Sequence, residues 1–324
     1  MRARKAVITA AGRGTRQFPA TRSIQKELLP LVDRDGITRP TLQIIVAECL
    51  AAGIEEVCIV VEKDGQKPFR DHFRGLTDDE KRVFASKPWA VEEGERLAEM
   101  AERLTYVEQP SPEGFGHAVY QAKDFVGEEP FVLLLGDHVY TTPPGVPSCV
   151  AQLVAIGEAE GGSVTSVRLD PESAVSVTGV VQCQPRQSDR AADAPGQTYD
   201  IVRLKEKPTP EEARALATPG IPEGHYLCHF GIHLFTPEIF DCLGHLIATD
   251  TRVKNEFQLT SGQELLLGRS LRGEAPPYRA AFLNGTRWDI GMPDVYLETL
   301  LAYAQRGPFA AHLSEMFGVR SAES

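Results

Sequence analysis

Three basic side chains, two on a glycine-containing loop and one just beyond it, are the first residues in the chain whose types and spacing suggest chemistry. Ala11-Gly12-Arg13-Gly14-Thr15-Arg16 follows a short apolar run, Lys5 to Ala10, and Lys26 comes soon after. Closely spaced glycines let backbone N–H groups point into one concavity, and such a nest binds phosphate. Residues 1–26 hold seven basic side chains (Arg2, Arg4, Lys5, Arg13, Arg16, Arg22, Lys26) and no acidic one. The whole chain, by contrast, has 34 Lys+Arg against 45 Asp+Glu and a formal charge of -11. A basic pole on an acidic protein suits a polyphosphate. Neither familiar phosphate fingerprint fits: the third glycine of G-x-G-x-x-G is replaced by Gln17, and no Gly-Lys-Ser/Thr closes a P-loop. Taken alone, Gly12 and Gly14 are equally an ordinary tight turn.

A carboxylate is the second candidate. Phe131-Val-Leu-Leu-Leu-Gly-Asp137 reads as a buried strand ending in an acid, and ligands of open parallel sheets gather at the carboxyl ends of strands. Asp137 could hold Mg²⁺, which takes carboxylates and substrate phosphates, or cap the following turn. His225, His229 and His233 are spaced by four, as zinc-binding histidines on a helix are. The absence of H-E-x-x-H, the aromatic and β-branched neighbours, Gly231 and the nearby Pro237 favour a strand instead, with all three on one face. His117, at the start of a helical stretch, reads as structural rather than as a base.

These groups need a scaffold. Lys5–Ala10 (strand), Thr41–Ala52 (helix closed by Gly53) and Glu56–Val61 (strand) form a βαβ unit with a right-handed crossover. Residues 62–103 are charged and helical, with a capping box at Thr77-Asp78-Asp79-Glu80, and read as an excursion beside the sheet. Leu104–Glu108 is a strand and Pro147–Glu160 a helix. Strands then dominate: Ser163–Leu169, Thr178–Gln184 and Tyr199–Lys205, with Pro185–Gln197 a polar hairpin excursion. The order predicts an α/β, Rossmann-like fold: a mixed, mainly parallel central sheet flanked by helices, with a smaller β-rich part. The chain is expected to form one domain over 1–308, with halves 1–160 and 161–308, followed by a tail, 309–324. Arg34-Asp35-Gly36-Ile37-Thr38-Arg39-Pro40 is expected to project as a loop near the site.

Composition sets bounds on this reading. With 324 residues, 42% hydrophobic and 24% charged, the chain can bury a sizeable core. No apolar run is long enough for a membrane span or a signal h-region. Six scattered cysteines without C-x-x-C spacing point to reduced thiols and a cytoplasmic protein. A pI near 5.3 argues against nucleic acid as partner.

Lys5 to Val61 resembles the bacterial sugar-1-phosphate nucleotidylyltransferases. The residues that carry this are Ala11–Arg16, Pro19-Ala20-Thr21-Arg22, Lys26-Glu27-Leu28-Leu29-Pro30-Leu31-Val32-Asp33 and Glu48-Cys49-Leu50-Ala51-Ala52-Gly53-Ile54, with further matches to about Ala304. Within that superfamily the pattern is most similar to the uridylyltransferases that join UTP to glucose 1-phosphate. The resemblance implies a nucleotide-diphospho-sugar transferase fold, with a nucleotide-binding first half and a sugar-phosphate-binding second half. It implies that Ala11, Gly12, Gly14, Thr15 and Arg16 cradle the triphosphate, and that Gln109, Gly114 and Gly116 hold the base. Gln offers a donor and an acceptor to a pyrimidine edge, although Pro110 stands where the family has Gly. Gly179, Glu206, Lys207 and Gly231 would hold the sugar phosphate. Adjacent opposite charges at Glu206-Lys207 suit a polyol and its anion together, whereas in isolation they read as solvated surface. Glu256-Phe257-Gln258-Leu259-Thr260 matches the family's Glu-x-Gln-Leu-Thr, and its lead acid is expected to orient the sugar or the metal's water shell. In Arg287-Trp288-Asp289-Ile290-Gly291, Asp289 would join Asp137 on one Mg²⁺; two acids from distant strands on one cation say more than either alone.

The implied reaction is attack of the sugar 1-phosphate on the α-phosphorus of the triphosphate, with Arg16, Lys26 and Lys207 as the catalytic cations and no covalent intermediate. Two alternatives stay open at this point: dTTP or another nucleotide in place of UTP, and a regulatory relative that binds sugar nucleotide without turnover. A homodimer or homotetramer is expected.

Overall fold

A computed structural model of the protein describes residues 2–186, 191 and 194–317. The strands are β1 (Lys5–Ala10), β2 (Pro30–Val32), β3 (Thr38–Pro40), β4 (Glu56–Glu62), β5 (Leu104–Gln109), β6 (Phe131–Leu135) and β7 (His138–Thr141) in the first half. The second half adds β8 (Ser163–Pro171), β9 (Gly179–Pro185), β10 (Thr198–Glu206), β11 (His225–Phe235), β12 (Tyr278–Phe282) and β13 (Thr286–Asp289). Nine of them form one sheet in the order β5-β4-β1-β6-β11-β8-β12-β10-β9.

The sheet is evenly mixed, which corrects the expectation of a mainly parallel one. The β5–β4, β4–β1, β1–β6 and β12–β8 pairs are parallel. The β11–β6, β11–β8, β10–β12 and β10–β9 pairs are antiparallel. A parallel pair needs a long crossover, which the helices of the first half supply for β1, β4, β5 and β6. The β9–β10 connection is a hairpin instead, and β11 inserts against the grain between β6 and β8.

Both faces of the sheet are buried, with the period-2 alternation that this requires. Ala6, Ile8 and Ala10 of β1, with Val57, Ile59 and Val61 of β4, join one core cluster; Val7, Cys58 and Val60 join the other. Helix Thr41–Ala51 packs into the first cluster through Leu42, Ile45, Val46 and Cys49, and Gly53 (φ 89) ends it in the left-handed conformation. Helices Glu238–Ala248 and Leu259–Leu271 cover the opposite face. The capping box at Thr77 and Glu80 is present. All six cysteines are buried and unpaired.

The 34–40 segment is not a loop at the site. It belongs to the β2–β3 hairpin, and its Arg39 is buried and hydrogen-bonded to Asp33, Asp35 and Glu93. A buried guanidinium must find carboxylates; Asp33 and Asp35 come from the hairpin's own turn, and Glu93 ties the hairpin to helix Pro88–Ala101. Part of the 185–197 excursion (187–190, 192–193) and the end of the tail (318–324) lie outside the described residues. Residues 310–317 of the tail are helical. No helix among the described residues is long and apolar enough to cross a membrane.

Candidate active site

At the carboxyl ends of β1, β6 and β13 the candidate charges come together. Asp137 comes one residue, Gly136, after β6, and Asp289 ends β13, which pairs antiparallel with β7 so that Asp289 lies opposite His138. Asp137, His138 and Asp289 each offer a ligand atom, and these atoms lie within 4.8 Å of one another. Lys26 Nζ donates to Asp137 Oδ2 at 2.5 Å and lies 3.6 Å from Glu27 Oε1. The convergence is tight enough to exclude a side chain from the next turn. A Cβ on Gly291 would lie 2.9 Å from Asp137 Oδ2, 2.9 Å from Asp289 Oδ1 and 3.1 Å from Arg16 Nη2.

Electrostatics fix the ionisation here. Burial alone would raise the Asp137 carboxyl, but the Lys26 ammonium and His138 outweigh it and hold the acid below its ordinary range. Burial acts on Asp289 in the same sense and is likewise overcome, chiefly by His138, whose Nε2 is 3.7 Å from Asp289 Oδ2. For Lys26 burial pulls the pKa down, yet Asp137 and Glu27 leave it raised, so the ammonium persists. Glu27 is the exception: desolvation pushes its carboxyl up to about 8, and neither oxygen has a hydrogen-bond partner. Two anionic carboxylates and an imidazole around one point fit a divalent cation in charge and donor type.

Two cavities open from this point. One, of about 340 Å³, is lined by Ala11, Gly12, Arg13, Gln109, Gly114 and Glu256. The other, of about 490 Å³, is lined by Gly179, Glu206, Lys207, His229, Gly231 and Thr260 among others. Arg16 and Asp137 line both. Lys207 adopts a positive φ of 43°, rare for a side chain of its size, and its amine is 3.3 Å from Glu206 Oε1. Thr260 Oγ1 donates to Glu206 Oε2 at 2.6 Å. Glu206 and Gly179 are cross-strand partners in the β9–β10 ladder, which is why residues far apart in sequence share this wall.

A family model described as nucleotidyl transferase matches residues 5–306. The chain belongs to the nucleotidyl transferase family. Among curated relatives, the UTP–glucose-1-phosphate uridylyltransferase of Staphylococcus haemolyticus is 32% identical over 306 residues, 94% of this chain and 93% of that one. The enzyme of that name from Streptococcus pneumoniae is 34% identical over 308 residues, covering 94% and 91%. A solved UDP-glucose pyrophosphorylase complexed with UDP-glucose matches with a TM-score of 0.72 and 26% identity over 94% of this chain and 99% of that chain.

In this nucleotidyl transferase not every glycine singled out from the sequence faces a cavity. Gly14 (φ 59) shapes the turn, where a Cβ would meet Thr21, and Thr15 opens a short 3-10 helix; neither lines the two cavities. Gly12 leaves room for Lys26, whose Nζ would be 3.2 Å from a Cβ there. Gly114 (φ 111) lines the smaller cavity, but a Cβ on it or on Gly116 would strike the Phe257 carbonyl at 2.8 Å, so both glycines also admit the 256–258 segment. Gln109 is buried, its amide shared between the Gly114 carbonyl and His117 Nδ1. His117 is thereby a structural partner. Gly231 (φ 98) sits at a bulge in β11 and leaves space for His138, whose Nδ1 would be 2.6 Å from a Cβ.

His138, Arg13 and Gly291 are missing from the sequence-derived site. For His138 the signal was its adjacency to Asp137, and for Gly291 the turn after Asp289. Among the described residues the three strand histidines form no metal-ligand cluster: His229 and His233 share the Thr165 hydroxyl, and His225 contacts the Glu223 carbonyl.

Proposed function

We propose that the protein transfers the uridylyl group of UTP to glucose 1-phosphate, releasing pyrophosphate. The observation that carries this is the wall shared by the two cavities: Arg16 and Asp137 bound both, so the donor's α-phosphorus and the acceptor phosphate can meet there. The curated relatives that match along nearly the whole chain bear that activity in their names.

A phosphate monoester, with a second pKa of about 6, is already a nucleophile at neutral pH. Its oxygen forms the new bond to the α-phosphorus as the bond to the β-phosphate bridging oxygen breaks in line. No protein base is needed, and the chain's task is positioning and neutralisation of charge. Arg13, Arg16 and the loop after β1 hold the triphosphate of the donor in the smaller cavity. Gln109 bounds the end of that cavity where the base would lie. Lys207 holds the acceptor phosphate, and Glu206, steadied by Thr260, accepts sugar hydroxyls. Asp137 and Asp289, with His138 beside them, would hold a divalent cation, and their hard oxygen donors favour Mg²⁺. When bound, such a cation supplies positive charge to phosphate oxygens. Lys26, now paired with Asp137, is placed to turn toward the triphosphate as that carboxylate engages elsewhere.

The test is pyrophosphate release with a panel of nucleoside triphosphates and sugar 1-phosphates in Mg²⁺. UTP with glucose 1-phosphate is expected to give the highest kcat/KM; a clear preference for dTTP or for another sugar overturns this assignment.

A further inference from the structure

His229 lies in the wall of the larger cavity and is left without a task by the reaction as described. It is in β11, its ring buried, and lines the cavity beside Glu206 and Gly179. Its Nε2 has no hydrogen-bond partner. A Cβ placed on Gly179 would lie 3.2 Å from that Nε2 and 3.1 Å from Glu206 Oε2. The ring's own Cδ2 would be nearer still, at 2.5 Å, so the glycine gives room to the imidazole and lets its Nε2 sit beside the Glu206 carboxylate at the cavity wall.

The neighbouring hydrogen bonds decide whether Nε2 is a donor or an acceptor. Thr165 Oγ1 is 3.1 Å from His229 Nδ1 and 2.6 Å from His233 Nδ1. A hydroxyl has one proton and can donate to only one of them. His233 Nδ1 also receives the Gln263 amide at 3.4 Å, so it is the acceptor. Thr165 then donates to His233 and accepts the Nδ1–H of His229. Burial pushes the His229 pKa down to about 4 and that of His233 well below its ordinary value, so both rings are neutral. A neutral imidazole protonated on Nδ1 presents Nε2 as a bare acceptor.

We infer that His229 Nε2 accepts a hydrogen bond from one hydroxyl of the acceptor sugar and, with Glu206, determines which sugar 1-phosphates are used. The inference rests on the function proposed above. A buried acceptor selects strongly, because a sugar lacking the matching hydroxyl leaves it unpaired. The site thus favours 1-phosphates of uncharged hexoses that carry this hydroxyl over their deoxy analogues.

The experiment compares the wild-type protein with His229→Leu and His229→Gln on glucose 1-phosphate and a set of its singly deoxygenated analogues. One analogue should lose about 10- to 100-fold in kcat/KM with the wild type. His229→Leu should lose a similar factor on glucose 1-phosphate and nothing further on that analogue, with KM for UTP unchanged. His229→Gln, which restores an acceptor oxygen, should recover much of the loss. A parallel fall on every sugar with altered UTP use, or an unchanged ranking of analogues in His229→Leu, overturns the inference alone. Absence of turnover by the wild-type protein with UTP and glucose 1-phosphate refutes the proposed function and this inference with it.

Discussion

Replacing Gly291 with alanine perturbs the putting-together of the site while adding only one methyl group. A Cβ there would stand 2.9 Å from Asp137 Oδ2 and 2.9 Å from Asp289 Oδ1. Ordinary carbon–oxygen contacts are about 3.3–3.6 Å, so each carboxylate must retreat by roughly 0.5 Å. Arg16 Nη2, at 3.1 Å, is pushed as well. Gly291 is not among the residues with positive φ, so alanine should meet no backbone strain. The cost therefore falls on the arrangement of Asp137, Asp289 and Arg16 rather than on folding. Misplacement by about 1 Å can cost 100-fold in rate, and a shift of half that, shared by three groups, should lower kcat about 10- to 100-fold. Pyrophosphate release should be measured over a Mg²⁺ titration, together with a thermal melt. The expected pattern is a lower kcat, a weaker response to Mg²⁺ and a Tm close to wild type. A folded Gly291→Ala protein with wild-type kcat and Mg²⁺ response would refute the reasoning that these three groups must converge.

Four further outcomes follow from the same geometry. Asp137→Asn should lower kcat at least about 100-fold while glucose 1-phosphate still protects against thermal unfolding; steady-state rates and melts with ligand check this. Lys207→Ala should raise KM for glucose 1-phosphate about 10-fold or more with little change in KM for UTP, read from two substrate titrations. Arg39→Ala should cost about 1.5–3 kcal/mol of stability, because Asp33, Asp35 and Glu93, themselves partly exposed, lose their charge-assisted partner, yet leave the kcat of the folded fraction unchanged in denaturation and activity measurements. Glu27, whose folded pKa is raised to about 8 by burial, contributes stability that is present below its unfolded value and lost as pH rises through about 8. The Tm of the metal-free wild type should thus fall between pH 5 and 8 by more than that of Glu27→Gln.

Much of the architecture could be read from local signals. The βαβ start, the capping box at Thr77 and the apolar run into Asp137 each carry their own chemistry, so periodicity and caps were enough. The pairing partners were not available in the same way. β11 reads as a strand from its composition, but nothing local says that it runs antiparallel between β6 and β8; tertiary packing decides that. The 34–40 segment was expected to be a loop because it is longer than the connection usual in the resembled family, while the role of Arg39 depends on Glu93, far along the chain. Asp137 and Asp289 stood out as acids at strand ends, and the structure brings them together. His138 stands next to Asp137 in sequence, but its place opposite Asp289 comes from β13 lying alongside β7. Gly291 escaped for a related reason: what a missing side chain makes room for is visible only in three dimensions.

The most direct test of the central claim is product analysis of the protein with UTP, glucose 1-phosphate and Mg²⁺ by phosphorus NMR. The proposed direct transfer yields UDP-glucose and pyrophosphate in equal amounts, with no UMP. Hydrolysis of UTP without UDP-glucose, or no reaction by the folded protein, would contradict it.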